Sequence, residues 1–257
     1  MTASDPWVPA TERAAHRGYA LLGVALVAVA GILAAFVLGG ALVAGAWVTG
    51  GQPALAVLVI VVFLATAVGF VGTGVTYLRL RGRSVRSFVP VRLPGLRDVA
   101  WAAGGYVAAL GLVFAAGLLL TALQVQPDTT NQAAELGMEN PAILLWLVPL
   151  SLLVIAPAEE FLFRGVIQGR LREAFDAPVA ILLTAGLFAL IHFTSLTGAA
   201  GARMIAIAIL FLPSLVFGVA YERTKNLLVP ILIHGTYNST LILLVYVTIE
   251  LAGEMPA

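Results

Sequence analysis

Two adjacent carboxylates and an arginine stand at the end of a long apolar segment. Glu159, Glu160 and Arg164 follow residues 140–158, which carry no charge. Ionisable groups inside a membrane span are energetically costly, so they usually mark a functional site. On a helix, Glu160 and Arg164 share a face because they are four residues apart, whereas the side chain of Glu159 points about 100° away from that of Glu160. We therefore predict two carboxylates with different roles; the alternative is the ordinary charged end of a cytoplasmic helix.

Two histidines in later hydrophobic segments favour a functional site. Phe188 precedes His192 by four residues, and His234 precedes Asn238 by four. A single histidine in a span is more often a hydrogen-bonding residue between helices, but two histidines with two carboxylates suit hydrolysis, as metal ligands or as groups that polarise a water. An amide can donate hydrogen bonds to an oxyanion without proton transfer. His16, in the polar N-terminal segment, is expected to be solvated.

The composition is that of a polytopic membrane protein. Of 257 residues, 61% are hydrophobic and only 11% are charged, against about 25% charged in soluble domains. The net charge of +1 argues against binding of nucleic acid. The absence of cysteine excludes disulfides and thiol catalysis.

Seven hydrophobic segments predict an all-α transmembrane helical bundle. Residues 18–78 carry no charge and are long enough for two spans of about 20 residues or more. Pro157 is expected to remove a backbone hydrogen bond and to kink the fourth helix just before the carboxylates. The predicted spans are residues 19–48, 53–78, 99–123, 141–164, 178–193, 204–221 and 227–249.

Basic residues predict the orientation of the bundle in the cell membrane. With a cytoplasmic N-terminus, 13 of the 14 basic residues lie inside and only Arg203 lies outside. Six arginines fall in residues 79–98, which we interpret as a topology signal with some affinity for anionic headgroups. The predicted segments are a cytoplasmic N-terminal segment (1–17), N-terminal spans (18–140), a catalytic membrane domain (141–249) and a short tail (250–257).

Three motifs lie in order on successive hydrophobic segments: Glu159-Glu160-x-x-x-Arg164, Phe188-x-x-x-His192 and His234-x-x-x-Asn238. Together they resemble the motifs of the CPBP family, the CAAX prenyl endopeptidase and bacteriocin-processing intramembrane proteases, also called Abi proteins. The resemblance covers about residues 141–247. It implies an all-helical intramembrane endopeptidase whose site faces the cytoplasm.

The resemblance also implies roles for the first motif residues. Glu159 is expected to act as the base that activates water, with His192 assisting. Glu160 and Arg164 are expected to support and orient Glu159.

The last motif and the cofactor complete the expectations from the resemblance. His234 and Asn238 are expected to stabilise the oxyanion. Members of the family are described both as metalloproteases and as metal-independent glutamate proteases, so the cofactor stays open. A divalent metal such as zinc, if present, would be held by Glu159, His192 and His234. The His-Glu-x-x-His run of many zinc proteases does not occur.

The expected partners are the lipid bilayer and a peptide or membrane-protein substrate. Two other functions fit the same residues: a non-catalytic membrane scaffold or immunity-type protein, and a proton-coupled transporter that uses the Glu/His set as a relay. One conflict arises from the predicted spans. His192 comes about 21 Å along the fifth span and His234 about 10 Å into the seventh, so the fifth helix is expected to begin deeper or to tilt strongly.

Overall fold

The computed structural model describes residues 10–51 and 54–254. Seven helices in this part of the chain are long and apolar enough to cross a membrane, which confirms the predicted all-α, seven-span fold. The described residues form no strand beyond an isolated bridge between Asn131 and Leu196. The helices are α1 Ala10–Val48, α2 Leu55–Leu80, α3 Val85–Phe88, α4 Leu96–Ala122, α5 Gln132–Glu139, α6 Ala142–Arg172, α7 Ala177–Ile191, α8 Ala200–Thr224 and α9 Leu228–Glu254.

The first and last helices extend past the charged residues that were used to place the span boundaries. Helix α1 already begins at Ala10, and α9 continues to Glu254. A charged residue marks the end of a hydrophobic segment but not the end of the helix, because alanine, glutamate and arginine are good helix formers. His16 is half-buried in α1, and its Nε2 is buried without a hydrogen-bond partner among the described residues. The expectation of a solvated His16 was therefore wrong.

Helix α6 departs from α-helical geometry on both sides of the two carboxylates. Residues Ser151–Ile155 and Phe161–Gln168 are π-helical, and the α-helical turn Ala156–Glu160 lies between them. Pro157 has no N–H to donate, and the N–H of the preceding Ala156 donates five residues back to the carbonyl of Ser151. The expected disruption before the carboxylates is thus present as a wide π turn, a feature that is frequent at functional sites.

The length of α6 removes the conflict over the depth of His192. We expected the fourth span to end near Arg164, but the helix continues to Arg172. Glu159 therefore lies 13 residues before the end of α6, and His192 lies 15 residues after the start of α7 at Ala177. Since the two helices are antiparallel neighbours joined by a short turn, these residues reach similar depths without a deeper start of α7.

Protein surrounds the middle of α6. Leu162, Phe163, Val166 and Ile167 are fully buried, and their cluster includes side chains from α1, α2, α7 and α8. Because α6 is enclosed in this way, its polar side chains face other helices instead of lipid. The energetic penalty of buried polar groups is then met by partners within the bundle.

Glycine allows close helix contact at two positions near the polar motifs, Gly165 and Gly235. A Cβ at Gly165 would lie 2.9 Å from Val89 Cγ1, and one at Gly235 would lie 3.1 Å from Leu152 Cδ2. At Gly186 a Cβ would meet nothing within 4 Å. Gly186 therefore does not mediate close packing.

Ion pairs join three loops at one end of the bundle. Glu173 contacts Arg81 at 2.9 Å, Arg83 at 3.3 Å and Arg170 at 2.9 Å. Arg172 contacts Glu222 at 3.1 Å. The loops that the sequence analysis assigned to one side of the membrane thus meet at one end of the fold. Which end faces the cytoplasm stays a prediction.

Candidate active site

A fully buried ion pair forms the centre of the site. Arg164 Nη1 donates to Glu160 Oε1 at 2.7 Å, and both side chains have no exposed surface. This contact confirms the prediction that Glu160 and Arg164 lie on the same face of the helix. Arg164 Nη2 also donates to the carbonyl oxygen of Ser214 at 3.1 Å and to its Oγ at 2.7 Å. Since a buried ion pair is stable only when further hydrogen bonds offset its desolvation, Ser214 on α8 is part of the site.

Two aromatic rings contact the guanidinium group of Arg164. Its central carbon lies 4.6 Å from the centroid of the Phe188 ring and 5.2 Å from that of Phe217. Aromatic faces attract cations, most strongly where water is excluded. The arginine is therefore held by one carboxylate, one serine and two aromatic rings.

The imidazole of His234 lies between the two carboxylates. Its Nδ1 is 2.8 Å from Glu160 Oε1, and its Nε2 is 3.6 Å from Glu159 Oε2. Because a carboxylate only accepts hydrogen bonds, Nδ1 carries the hydrogen, and Nε2 of the neutral ring is an acceptor. The ring stacks on Phe217, with centroids 4.8 Å apart and 19° between the planes.

Asn238 supplies a donor on the other side of His234. Its Nδ2 lies 3.0 Å from His234 Nε2, one turn along α9, so the amide donates to the neutral ring. Glu159 completes this group of polar atoms, and 12% of its side chain is exposed, whereas Glu160 is fully buried. One carboxylate is thus partly exposed and the other is fully buried.

His192 begins the short 3₁₀ turn that follows α7. Its Nδ1 donates to the carbonyl oxygen of Phe188 at 2.8 Å, which leaves Nε2 as an acceptor. Phe188 is itself buried, and its ring centroid lies 4.8 Å from that of His192 and 5.6 Å from that of His234. Phe188 is therefore both a core residue and a site residue, and it brings the two imidazoles against one phenyl ring.

The buried ion pair contacts a different residue from the one that the resemblance implies. Glu160 and Arg164 were expected to orient Glu159. In the structure, Glu160 hydrogen-bonds to His234, and Arg164 contacts Glu160 and Ser214. The reason is the turn of about 100° between successive helical residues, which directs Glu160 towards α8 and α9.

Three site residues were missed in the sequence. Ser214 and Phe217 stand in an apolar helix where such residues are common, so no local signal marks them. Gln168 is buried and donates from Nε2 to the carbonyl oxygen of Gly218 at 3.1 Å. Its spacing did carry a signal, because residues 160, 164 and 168 form one polar stripe at intervals of four.

The arrangement does not match a three-ligand metal site. Residues 10–51 and 54–254 contain no group of three or more His, Cys, Asp or Glu side chains that could hold a metal ion. Among the three residues expected to hold a zinc ion, His234 already uses both ring nitrogens in hydrogen bonds, one with Glu160 and one with Asn238. The set Glu159, His192 and His234 therefore does not fit zinc as it stands, and the mechanism below involves no metal.

Residues 141–240 match the family model of type II CAAX prenyl endopeptidase Rce1-like proteins. Comparison with curated proteins and with solved structures gave no match. The matched region runs from the residue before α6 into α9 and contains all three motifs. The match supports the predicted similarity of this region to the CPBP family and to its CAAX-type membrane proteases.

Proposed function

We propose that the protein is an intramembrane endopeptidase that hydrolyses a peptide bond near the cytoplasmic face of the membrane. The observation that carries the proposal is the meeting of Glu159, His234 and Asn238 beside a buried ion pair, within a bundle of membrane-spanning helices. The family supports a CAAX-type substrate, a peptide or membrane protein whose C-terminal segment reaches this site.

Hydrolysis begins with Glu159, the more exposed of the two carboxylates. As an ionised general base it takes a proton from a water molecule, while the oxygen of that water attacks the carbonyl carbon of the substrate. Neutral His192 has its hydrogen on Nδ1, so its Nε2 is available to accept a hydrogen bond from the same water. The new C–O bond converts the carbonyl oxygen into an oxyanion.

The oxyanion requires fixed donors near the reacting carbon. Asn238 Nδ2 is such a donor, and neutral His234, whose Nδ1 donates to Glu160, holds that amide in place by accepting a hydrogen bond from it at Nε2. Donors of this kind typically contribute about 10²- to 10³-fold to turnover. When the tetrahedral intermediate collapses, the C–N bond breaks, and the proton held by Glu159 passes to the leaving amine.

The buried pair of Glu160 and Arg164 holds the oxyanion side of the site in place. Glu160 fixes the hydrogen of His234 on Nδ1 and thereby directs Nε2 towards Asn238 and Glu159. Arg164 balances the charge of Glu160 where water is excluded. These two residues act through His234 and not on the substrate itself.

The proposal is tested with the full chain reconstituted in lipid vesicles. A prenylated peptide ending in Cys-a-a-X, its unprenylated form and an unrelated apolar peptide are incubated with the protein, and mass spectrometry identifies the products. We expect a single internal cleavage of the first peptide and none by Glu159→Gln. Equal product from Glu159→Gln, or no hydrolysis of any of the peptides, would contradict the proposed endopeptidase.

A further inference from the structure

An apolar groove runs along the outward face of α1 and α2. It has a volume of about 550 Å³ and lies between side chains that include Leu26 and Leu38 of α1 and Val68 and Leu80 of α2. These four side chains are exposed on the surface of the bundle, and the groove floor at Gly72 has open space above it. The groove therefore opens towards lipid and not towards the catalytic residues.

The length of the groove matches half a bilayer. Val68 and Leu80 are 12 residues apart, which corresponds to about 18 Å along a helix. The hydrocarbon core of a membrane is about 30 Å thick, so one leaflet contributes about 15 Å. The groove thus reaches from one interface to about the bilayer midplane, which is the span of one acyl chain.

One end of the groove is basic. Leu80 is flanked by Arg79 and Arg81, and the guanidinium of Arg81 lies 5.7 Å from the ring of Tyr77, a groove residue. Arg79 is exposed and has no ion pair with any described residue, whereas Arg81 is paired with Glu173. The available positive charge at this end is therefore that of Arg79.

Helix α1 begins at the same end of the groove. A Cβ at Gly23 would lie 3.3 Å from the hydroxyl of Tyr77, so the start of α1 runs beside the end of α2. The guanidinium of Arg17 contacts the ring of Phe175 at 5.6 Å, in the turn between α6 and α7, and so is directed away from the groove. Since Arg79 directly follows the uncharged residues 18–78, it marks the membrane interface at this end.

We propose that this groove is a binding site for one anionic phospholipid, with an acyl chain between α1 and α2 and the phosphate group at Arg79. The apolar length and the basic end select such a lipid over a zwitterionic one, because arginines near a membrane surface attract negative headgroups. The site is separate from the proposed proteolysis and does not depend on it.

Native mass spectrometry of the purified chain tests the site. The protein is equilibrated with equal amounts of phosphatidylglycerol and phosphatidylcholine, and the apparent Kd of the first bound lipid is measured. Gly72→Leu places a side chain in the groove, and its Cβ would meet no atom within 4 Å. Gly111→Leu is the matched control, since Gly111 is an exposed glycine of α4 with equally open surroundings.

We expect Gly72→Leu to weaken phosphatidylglycerol binding by at least tenfold and Gly111→Leu to leave it unchanged. Arg79→Gln is expected to lower the preference for phosphatidylglycerol over phosphatidylcholine by roughly fivefold. Because this change alters only an exposed side chain, it tests the site even if Gly72→Leu does not fold. Unchanged lipid binding in both variants overturns the site. A dimer of the unaltered chain that is lost in Gly72→Leu also overturns it, because the groove would then be an interface between two copies.

Discussion

At the scale of single residues, the two neighbouring carboxylates have opposite surroundings. Glu159 is partly exposed and lies 3.6 Å from His234 Nε2, outside hydrogen-bonding distance. Glu160 is fully buried and accepts hydrogen bonds from both Arg164 and His234. This contrast separates a partly exposed carboxylate without a hydrogen bond to His234 from a buried carboxylate that fixes its neighbours.

The contrast yields a prediction for a matched pair of variants. Glu159→Gln is expected to lower turnover by about 10²- to 10⁴-fold, because the general base is lost, while the free energy of unfolding stays near that of the wild type. Glu160→Gln is expected to lower both, since it leaves Arg164 without a counter-charge in a dry site. Hydrolysis assays and equilibrium unfolding in mixed micelles measure the two quantities. Equal stability of the two variants would contradict the assignment.

Arg164 gives a second prediction at this scale. Arg164→Ala leaves the Glu160 carboxylate buried without its cation, so we expect a loss of about 3–5 kcal/mol in the free energy of unfolding. Arg164→Lys restores the charge but not the planar fork that reaches Glu160 and Ser214 together, and we expect only partial recovery. Wild-type stability of Arg164→Ala in micelle unfolding would show that the ion pair contributes little.

The motif residues of the site could be predicted because each is an ionisable or polar group within an apolar segment. Ser214 and Phe217 could not, because their importance arises from contact with Arg164 and His234 across the bundle. A serine and a phenylalanine on an apolar helix look the same whether or not they touch a buried arginine. Which side chain Glu160 contacts likewise depends on how α6, α8 and α9 pack.

At the scale of the elements, the sequence predicted how many helices span the membrane better than where they end. Hydrophobic length fixed the seven spans, whereas charge was a poor guide to the ends of α1, α6 and α9. The extension of α6 to Arg172 matters most, since it places Glu159 deep enough to match His192. The π segments of α6 depend on proline and on packing together, and proline alone predicted only that the helix is disturbed.

The turn after His192 is held by the segment before α6. The N–H of Gln132 donates to the carbonyl of Ser195 at 3.0 Å, and the N–H of Thr197 donates to the carbonyl of Thr130 at 2.9 Å. The hydroxyl of Thr197 also donates to Glu135 Oε1 at 2.6 Å. Because the 3₁₀ turn begins at His192, these bonds restrain the position of its imidazole.

We expect Thr197→Val to loosen this turn, since it removes a hydrogen bond to a charged group while keeping the side-chain shape. Misplacement of a group in the site by about 1 Å can reduce turnover a hundredfold, so we expect kcat to fall by about ten- to a hundredfold with little change in KM. Thr121→Val is the control, because its hydroxyl only contacts the carbonyl of Gly117 within α4. Faster amide exchange at residues 192–197 in Thr197→Val alone would confirm the cause, and equal exchange in both variants would refute it.

At the scale of the whole molecule, the two ends of the bundle differ in chemistry. One end gathers four arginines around Glu173 and Glu222: Arg81, Arg83, Arg170 and Arg172. The other end joins residues 129–135 to residues 194–197 mainly through backbone and threonine hydrogen bonds. Loops that the positive-inside rule assigns to opposite sides are thus separated in the fold, which is what a single orientation in the membrane requires.

The natural absence of cysteine allows a direct test of that orientation. Val91 lies in the basic loop and is 58% exposed, and Met138 lies on α5 and is 57% exposed, so a cysteine at either position offers similar access to a reagent. With the basic end in the cytoplasm, Val91→Cys is expected to react with an impermeant thiol reagent only after the membrane is opened, and Met138→Cys is expected to react in intact cells. The reverse pattern would place the basic end outside the cell. It would contradict the proposed cleavage at the cytoplasmic face but not the geometry of the site.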